Sequence, residues 1–207
     1  MTNIMIRLAQ ESDAAEILEI YAPYIKETNI TFEYEVPTLV DFKKRIQEIS
    51  SHYPYLVCLL DGVIVGYAYA HRHMERAAYQ WNVESSVYIS KKCLHMGIGK
   101  ALYNALIEVL KLQNVQNIYA IVTYPNANSE SLHQYFDFRT IGIYPKTGYK
   151  FGQWIDVIWL EKSIGKHENN PKPFQSIEKI EAKRITEILD KCCAIIKSSK
   201  NVIQNRL

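Results

Sequence analysis

Apolar residues along the chain switch between two spacings, and each switch marks an element. Residues 4–8 alternate as a short strand, after which Ile17, Ile20, Tyr21 and Tyr24 recur at the three-to-four spacing of a helix face. Asp13 with Glu16 forms a capping-box entry to that helix, and Pro23 is expected to kink or shorten it. Thr28 to Glu35 reads as an aromatic-acidic loop. Pro37-Thr38 with Asp41 then opens a second helix, with Leu39, Phe42, Ile46 and Ile49 on one face. Residues 55–60 and 63–70 are β-rich runs around Asp61-Gly62, a pair suited to a tight hairpin turn. Strand patterns return at 83–89, 118–123, 138–144 and 153–161. Helices fall between them, from Gly97 to about Gln113 on the face of Ile98, Leu102, Ala105, Leu106, Val109 and Leu110, and from near Asn128-Ser129.

This order predicts an α/β fold with a mixed central sheet rather than a doubly wound one. The pattern divides the chain into a first unit over 1–163, a polar linker over 164–174, and an amphipathic helix over 175–200 carrying Ile177, Ile180, Ile185, Ile188, Leu189, Cys192 and Ile196. The last is expected to be an add-on docking on the body or on a partner. With 207 residues, 48% of them hydrophobic, the chain has material for one ordinary core plus such an extension.

Composition narrows the partners. A net charge of +2 from 24 basic and 22 acidic residues gives no field to draw nucleic acid or an anionic membrane, so neither is expected as a partner. The N-terminus lacks the apolar core of a signal peptide, and no apolar run approaches the roughly 18 residues of a membrane span, so a cytoplasmic location is expected. Cys58, Cys93, Cys192 and Cys193 have neither CxxC spacing nor the density of a disulfide scaffold; they read as reduced thiols, with no metal site.

Candidate chemistry concentrates where strand 83–89 gives way to Gly97-Ile98-Gly99-Lys100. The first turn of a helix presents unpaired N–H groups and the positive end of the helix dipole, and glycines there let a phosphate approach. A dinucleotide site would need a third glycine, and a triphosphate-binding loop a Gly-Lys-Ser/Thr ending; both are missing. On the turn alone, a phosphorylated ligand and a merely tight helix entry both stay open.

Several separated blocks together resemble the GNAT superfamily of acyl-CoA-dependent N-acyltransferases, and within it the phosphinothricin and methionine-sulfoximine acetyltransferases. They are Asn29 to Phe32, Asp61-Gly62 with Gly66 to Ala68, Arg76 to Tyr79 leading into Trp81 to Ile89, Gly97 to Tyr103, Pro125 to His133, and Gly148 to Val157. The likeness covers roughly residues 4–161. It implies the GNAT fold, with a mixed and mostly antiparallel sheet flanked by helices, and acetyl-CoA as co-substrate without a metal. It also implies that Val87, Tyr88 and Ile89 pair with the pantetheine arm like an added strand, that His95, Met96, Gly97, Ile98, Gly99 and Lys100 hold the pyrophosphate, and that Asn126 and Ser129 contact the cofactor while capping the next helix. Two positions depart from the family: Leu94 stands where Gln or Arg is usual, and Asp137 where a left-handed glycine is usual.

Acyl transfer to an ammonium requires a proton acceptor near neutral pH. Glu84, expected between Trp81 and Tyr88 in partly apolar surroundings, is the candidate base or the group that binds the substrate ammonium; His133, by family position, is the candidate general acid or alternative base. Arg76 is the candidate cation for an acidic acceptor, with Phe32, Ser85 and Ser86 shaping the pocket. The resemblance therefore implies transfer of acetyl to the amino group of a small amino acid or amino-acid analogue, by a homodimer. The same fold also serves polyamines, aminoglycosides and protein N-termini, and a non-catalytic acyl-CoA-binding module remains a reading from a different class.

Overall fold

The computed structural model describes the backbone of residues 3–204 and the side chains of residues 3–196, so Met1 and Thr2 of the expected first unit lie outside the described residues. Seven strands form one sheet in the order β1-β2-β3-β4-β5-β7-β6. The strands are β1 (Ile4–Leu8), β2 (Tyr55–Leu60), β3 (Val63–Arg72), β4 (Asn82–Ile89), β5 (Asn117–Tyr124), β6 (Arg139–Lys150) and β7 (Gln153–Ser163). Every neighbouring pair is antiparallel except β4 and β5. The mixed, mostly antiparallel α/β sheet expected from the sequence is the one observed.

Alternation along the strands sends side chains to two separate cores. On one face α1 (Ala14–Glu27) and α2 (Leu39–Ser50) bury Ile17, Tyr21, Phe42 and Ile46 against Tyr55, Val57 and Tyr67. The opposite face carries α3 (Ile98–Leu112) and α5 (Ala182–Gln204), with α4 (Ala127–Tyr135) beyond β5. Asp61 at φ 50° and Gly62 at φ 87° form the hairpin turn that the Asp-Gly pair implies.

Three local expectations are corrected. The capping box is formed by Gln10 and Asp13 at a short 3-10 turn, Glu11–Asp13, rather than by Asp13 and Glu16. Helix α1 is not cut short at Pro23 but continues to Glu27, because burial of Ile17, Ile20, Tyr21 and Ile25 outweighs the one missing backbone bond. The last helix begins at Ala182, and Ile177–Lys179 is a separate 3-10 turn. Asp137 takes the left-handed conformation at φ 56°, as its place in the resemblance implied.

The segment after β7 is woven into the main core. Ile177, Ile180, Ile185, Leu189, Cys192, Cys193 and Ile196 are all buried in the cluster that contains Ile6, Leu102 and Leu106. The Cys193 thiol sulfur also accepts from the Ile6 backbone N–H at 3.2 Å.

Candidate functional site

Strands β4 and β5 pair only from Asn82 to Glu84 against Asn117 to Tyr119. Beyond that point they diverge, and the wedge between them opens a cavity of about 860 Å³. Its walls are Ser85 to Ile89 of β4, Ala120 to Val122 of β5, the start of α3, and the inner side of α4. Parallel strands normally continue their ladder; here the unpaired edges are left facing the cavity.

At one end the chain turns through His95 at φ 61° and Gly97 at φ 79°, both left-handed, before α3 begins. The first α3 bond runs from Ala101 N–H to the Gly97 carbonyl at 3.0 Å, so the N–H groups of Ile98, Gly99 and Lys100 precede it and line the cavity. A side chain at Gly99 would meet only Ile89, at 3.8 Å, so space stands over those donors. This arrangement suits a pyrophosphate. Lys100 Nζ lies 3.5 Å from the Tyr135 ring centroid, beside the same opening. Along β4, the Tyr24 hydroxyl donates to the Ile89 carbonyl at 2.6 Å.

At the other end Asn126 caps α4, its Oδ1 accepting from Ser129 N–H at 3.2 Å. Ser129 and His133 follow on the cavity side of that helix. His133 is buried, and both ring nitrogens are engaged. Its Nδ1 donates to the Ser129 carbonyl at 2.7 Å, and its Nε2 lies 3.0 Å from the Tyr103 hydroxyl, which is 2.6 Å from Ser85 Oγ. Burial lowers the imidazole below its ordinary value, partly offset by the Ser129 carbonyl. Burial likewise raises the Tyr103 phenol well above its usual range.

That depression makes folding stability depend on pH. A neutral folded imidazole with an unfolded value near ~6.5 contributes fully above that pH, and the contribution is lost as pH falls below it towards the lower folded value, with a slope of at most about 1.4 kcal/mol per unit. Thermal unfolding between pH 7.5 and 5.0 should therefore show a shallower acid loss in His133→Gln than in the native chain. Equal slopes would count against a buried neutral His133.

Glu84 projects from the opposite face of β4, away from the cavity wall formed by Ser85. Its neighbours are not the expected Trp81 and Tyr88. Oε1 lies 2.9 Å from His73 Nδ1 and Oε2 lies 3.8 Å from His71 Nε2. The Trp81 indole instead donates to the Lys172 carbonyl, and Tyr88 packs edge-on against Tyr21 and Tyr24. The His73 ring stacks on Tyr119 at 4.3 Å, which fixes its direction.

The expected residues thus fall into groups. Ser85 to Ile89, His95, Gly97 to Lys100, Asn126, Ser129 and His133 converge on one cavity. The Met96 side chain packs against the core and is not among the residues that line the cavity. Arg76 is exposed at the head of the 3-10 turn Ala77–Tyr79, and Phe32 lies over Gly148, where an added Cβ would meet its ring at 2.2 Å; neither lines the cavity. Sequence reasoning passed over His71, His73 and Tyr103. The histidines carried a period-two signal, but their register with Glu84 is set across an irregular connection; Tyr103 was a hydroxyl within a buried helix, which needs a partner. Among the described residues, no group of three His, Cys, Asp or Glu side chains is placed to hold a metal ion.

The comparisons with known proteins agree with this geometry. The chain is 30% identical over 177 residues to a phosphinothricin N-acetyltransferase of Streptomyces viridochromogenes, covering 86% of this chain and 96% of that protein. It is 28% identical over 166 residues to an L-methionine sulfoximine/L-methionine sulfone acetyltransferase of Salmonella typhimurium, covering 78% of this chain and 95% of that one. Among solved structures, a GNAT superfamily phosphinothricin acetyltransferase from Sinorhizobium meliloti in complex with acetyl-CoA superposes with a TM-score of 0.77 at 31% identity, covering 82% of this chain and 92% of that one. Residues 6–159 match the model of the acetyltransferase (GNAT) domain, and with its splayed strands and glycine-led helix the chain belongs to that family.

Proposed function

We propose that the protein transfers acetyl from acetyl-CoA to the amino group of a small amino acid or amino-acid analogue, of the phosphinothricin or methionine-sulfoximine type. The observation that carries this reading is the single cavity joining the free N–H groups of α3 to the wedge between β4 and β5. Relatives named for those two acceptors, at 30% and 28% identity, support the substrate class.

Acetyl-CoA supplies a thioester open to attack by an amine. The N–H groups of Ile98, Gly99 and Lys100, with His95, hold its pyrophosphate, and the stretch Val87, Tyr88 and Ile89, which β5 leaves uncovered, aligns its arm. Asn126 and Ser129 close the far side. Glu84 takes a proton from the acceptor ammonium, with His73 fixing the direction of its carboxylate, and His133 provides a second site for proton movement. Arg76 pairs with the acceptor's acidic group, and Phe32, Ser85 and Ser86 shape its pocket. Direct transfer needs positioning and proton movement, without a covalent enzyme intermediate. The Cys58 thiol suits no nucleophilic role, since burial pushes it up to about 12.

Two further features belong to this reading. Ile141, Ile143, Tyr144, Tyr149, Phe151 and Trp154 expose 47–61% of their surface on and beside the outer hairpin of β6 and β7, which supports a homodimer through that end of the sheet. Four cysteines, with neither CxxC spacing nor the density of a disulfide scaffold, support a reducing, cytoplasmic compartment, and no helix among the described residues is long and apolar enough to cross a membrane.

Mixing the protein with acetyl-CoA and a panel of amines while following release of free thiol tests the acceptor. Turnover on phosphinothricin, methionine sulfoximine or a related amino acid, well above that on polyamines and aminoglycosides, is expected. Silence across the panel, with acetyl-CoA still bound, would instead favour a non-catalytic acyl-CoA-binding module.

A further inference from the structure

A hydrogen-bonded chain leads from the cavity into the core through three side chains that all line the wedge: Ser85, Tyr103 and His133. Its direction follows from its inner end. The Ser129 carbonyl, 2.7 Å from Nδ1, only accepts, and it is much closer than Ser129 Oγ at 3.3 Å, so His133 carries its hydrogen on Nδ1 and, when neutral, leaves Nε2 bare. The Tyr103 hydroxyl then donates to Nε2, and Ser85 Oγ donates its one hydrogen to the Tyr103 oxygen at 2.6 Å in preference to the Tyr119 carbonyl at 3.3 Å. Ser85 stands one residue past the last paired position of β4, where the wedge begins. Around the ring, α3 contributes Tyr103, α4 contributes Ser129, and the β6 side contributes Phe138 at 4.9 Å; no carboxylate or cation is among these contacts.

We propose that Ser85 is a catalytic residue and that Tyr103 and His133 act through it as a reversible proton store for acetyl transfer. The inference rests on the acetyltransferase reading. An acceptor ammonium must lose two protons before the amide stands. Glu84 takes the first and passes it to solvent. The second leaves as nitrogen bonds to the thioester carbon: nitrogen gives it to Ser85 Oγ, Ser85 passes its own hydrogen to Tyr103, and Tyr103 passes its own to His133 Nε2. The charge rests on an imidazolium whose Nδ1–H remains bonded to the Ser129 carbonyl. As the carbon–sulfur bond breaks, the three hydrogens return and the thiolate sulfur takes the one from Ser85. Overall one proton reaches solvent and one reaches sulfur, which balances amine plus thioester going to amide plus thiol. A buried imidazole with a lowered proton affinity releases what it stores, and the bonds of 2.6 and 3.0 Å are short enough for a concerted shift.

Tyr103→Phe and Ser85→Ala break the chain on either side of the phenol oxygen. Each is expected to lower kcat by roughly 100-fold, with KM for acetyl-CoA within about twofold, and Ser85→Thr, which keeps a hydroxyl, to restore most of the rate. Nitrogen NMR of the imidazole supplies a readout independent of turnover. The native ring should be the Nδ1–H tautomer, and its Nε2 resonance should shift in Tyr103→Phe far more than in Ser85→Ala. Folded variants that bind acetyl-CoA and keep kcat within about threefold would overturn the relay. So would a native ring protonated on Nε2, even in a protein that acetylates nothing on the panel; inactivity of the native chain alone would instead overturn the acceptor reading.

Discussion

Glu84→Gln should lower kcat by roughly two to four orders of magnitude while leaving acetyl-CoA affinity nearly unchanged. Glu84 occupies the last paired position before β4 and β5 part, with its side chain on the face opposite Ser85 and outside the cavity wall. Its oxygens are bracketed by His73 at 2.9 Å and His71 at 3.8 Å, and the stack of His73 on Tyr119 keeps that bracket rigid. Glutamine preserves the shape and removes the proton acceptor. Steady-state kinetics with the best acceptor, paired with calorimetric titration of acetyl-CoA, separates the effects: a kcat loss assigns a base, whereas a raised acceptor KM with kcat intact would assign only ammonium binding. His73→Ala should show a smaller kcat loss of the same kind, because it frees the carboxylate without removing it.

Ending the chain after Ser163 should abolish stable folding, although residues 6–159 already span the family match. Ile177, Ile180, Ile185, Leu189 and Ile196 are buried in the same core as α3 and β1. At about 1.5–3 kcal/mol for each such side chain, their removal costs on the order of 10 kcal/mol, comparable with a domain's whole stability of about 5–15 kcal/mol. Circular dichroism and dye binding on the shortened chain check this, and Leu189→Ala in the full chain should cost about 2–5 kcal/mol. A shortened chain melting at the native temperature would restore the extension to the status of an add-on. The physical point is that the helix covers one side of α3 and β1 that would otherwise face water.

Much of the site was legible because its parts are local. The left-handed Gly97, the donors of Ile98 to Lys100, and the Asn126 cap at Ser129 are each set within a few residues, where hydrogen-bond geometry follows directly from sequence. The Asp61-Gly62 turn and the Thr38 cap of α2 were readable for the same reason. Misreadings arose where distant packing overruled local preference. Pro23 did not end α1, since four buried side chains hold the helix on either side of it.

The sequence by itself determined the strand and helix periods, the glycine-led helix start, and the residue types able to bind a phosphate or move a proton. Only the tertiary structure decided which of these meet. Where β4 and β5 stop pairing, why Ser85 faces Tyr103 while Glu84 faces His73, and how His133 Nε2 meets Tyr103 depend on contacts between residues 11 to 35 positions apart along the chain. Such contacts are fixed by strand register and helix packing, which one-residue shifts would reverse and which no local pattern encodes.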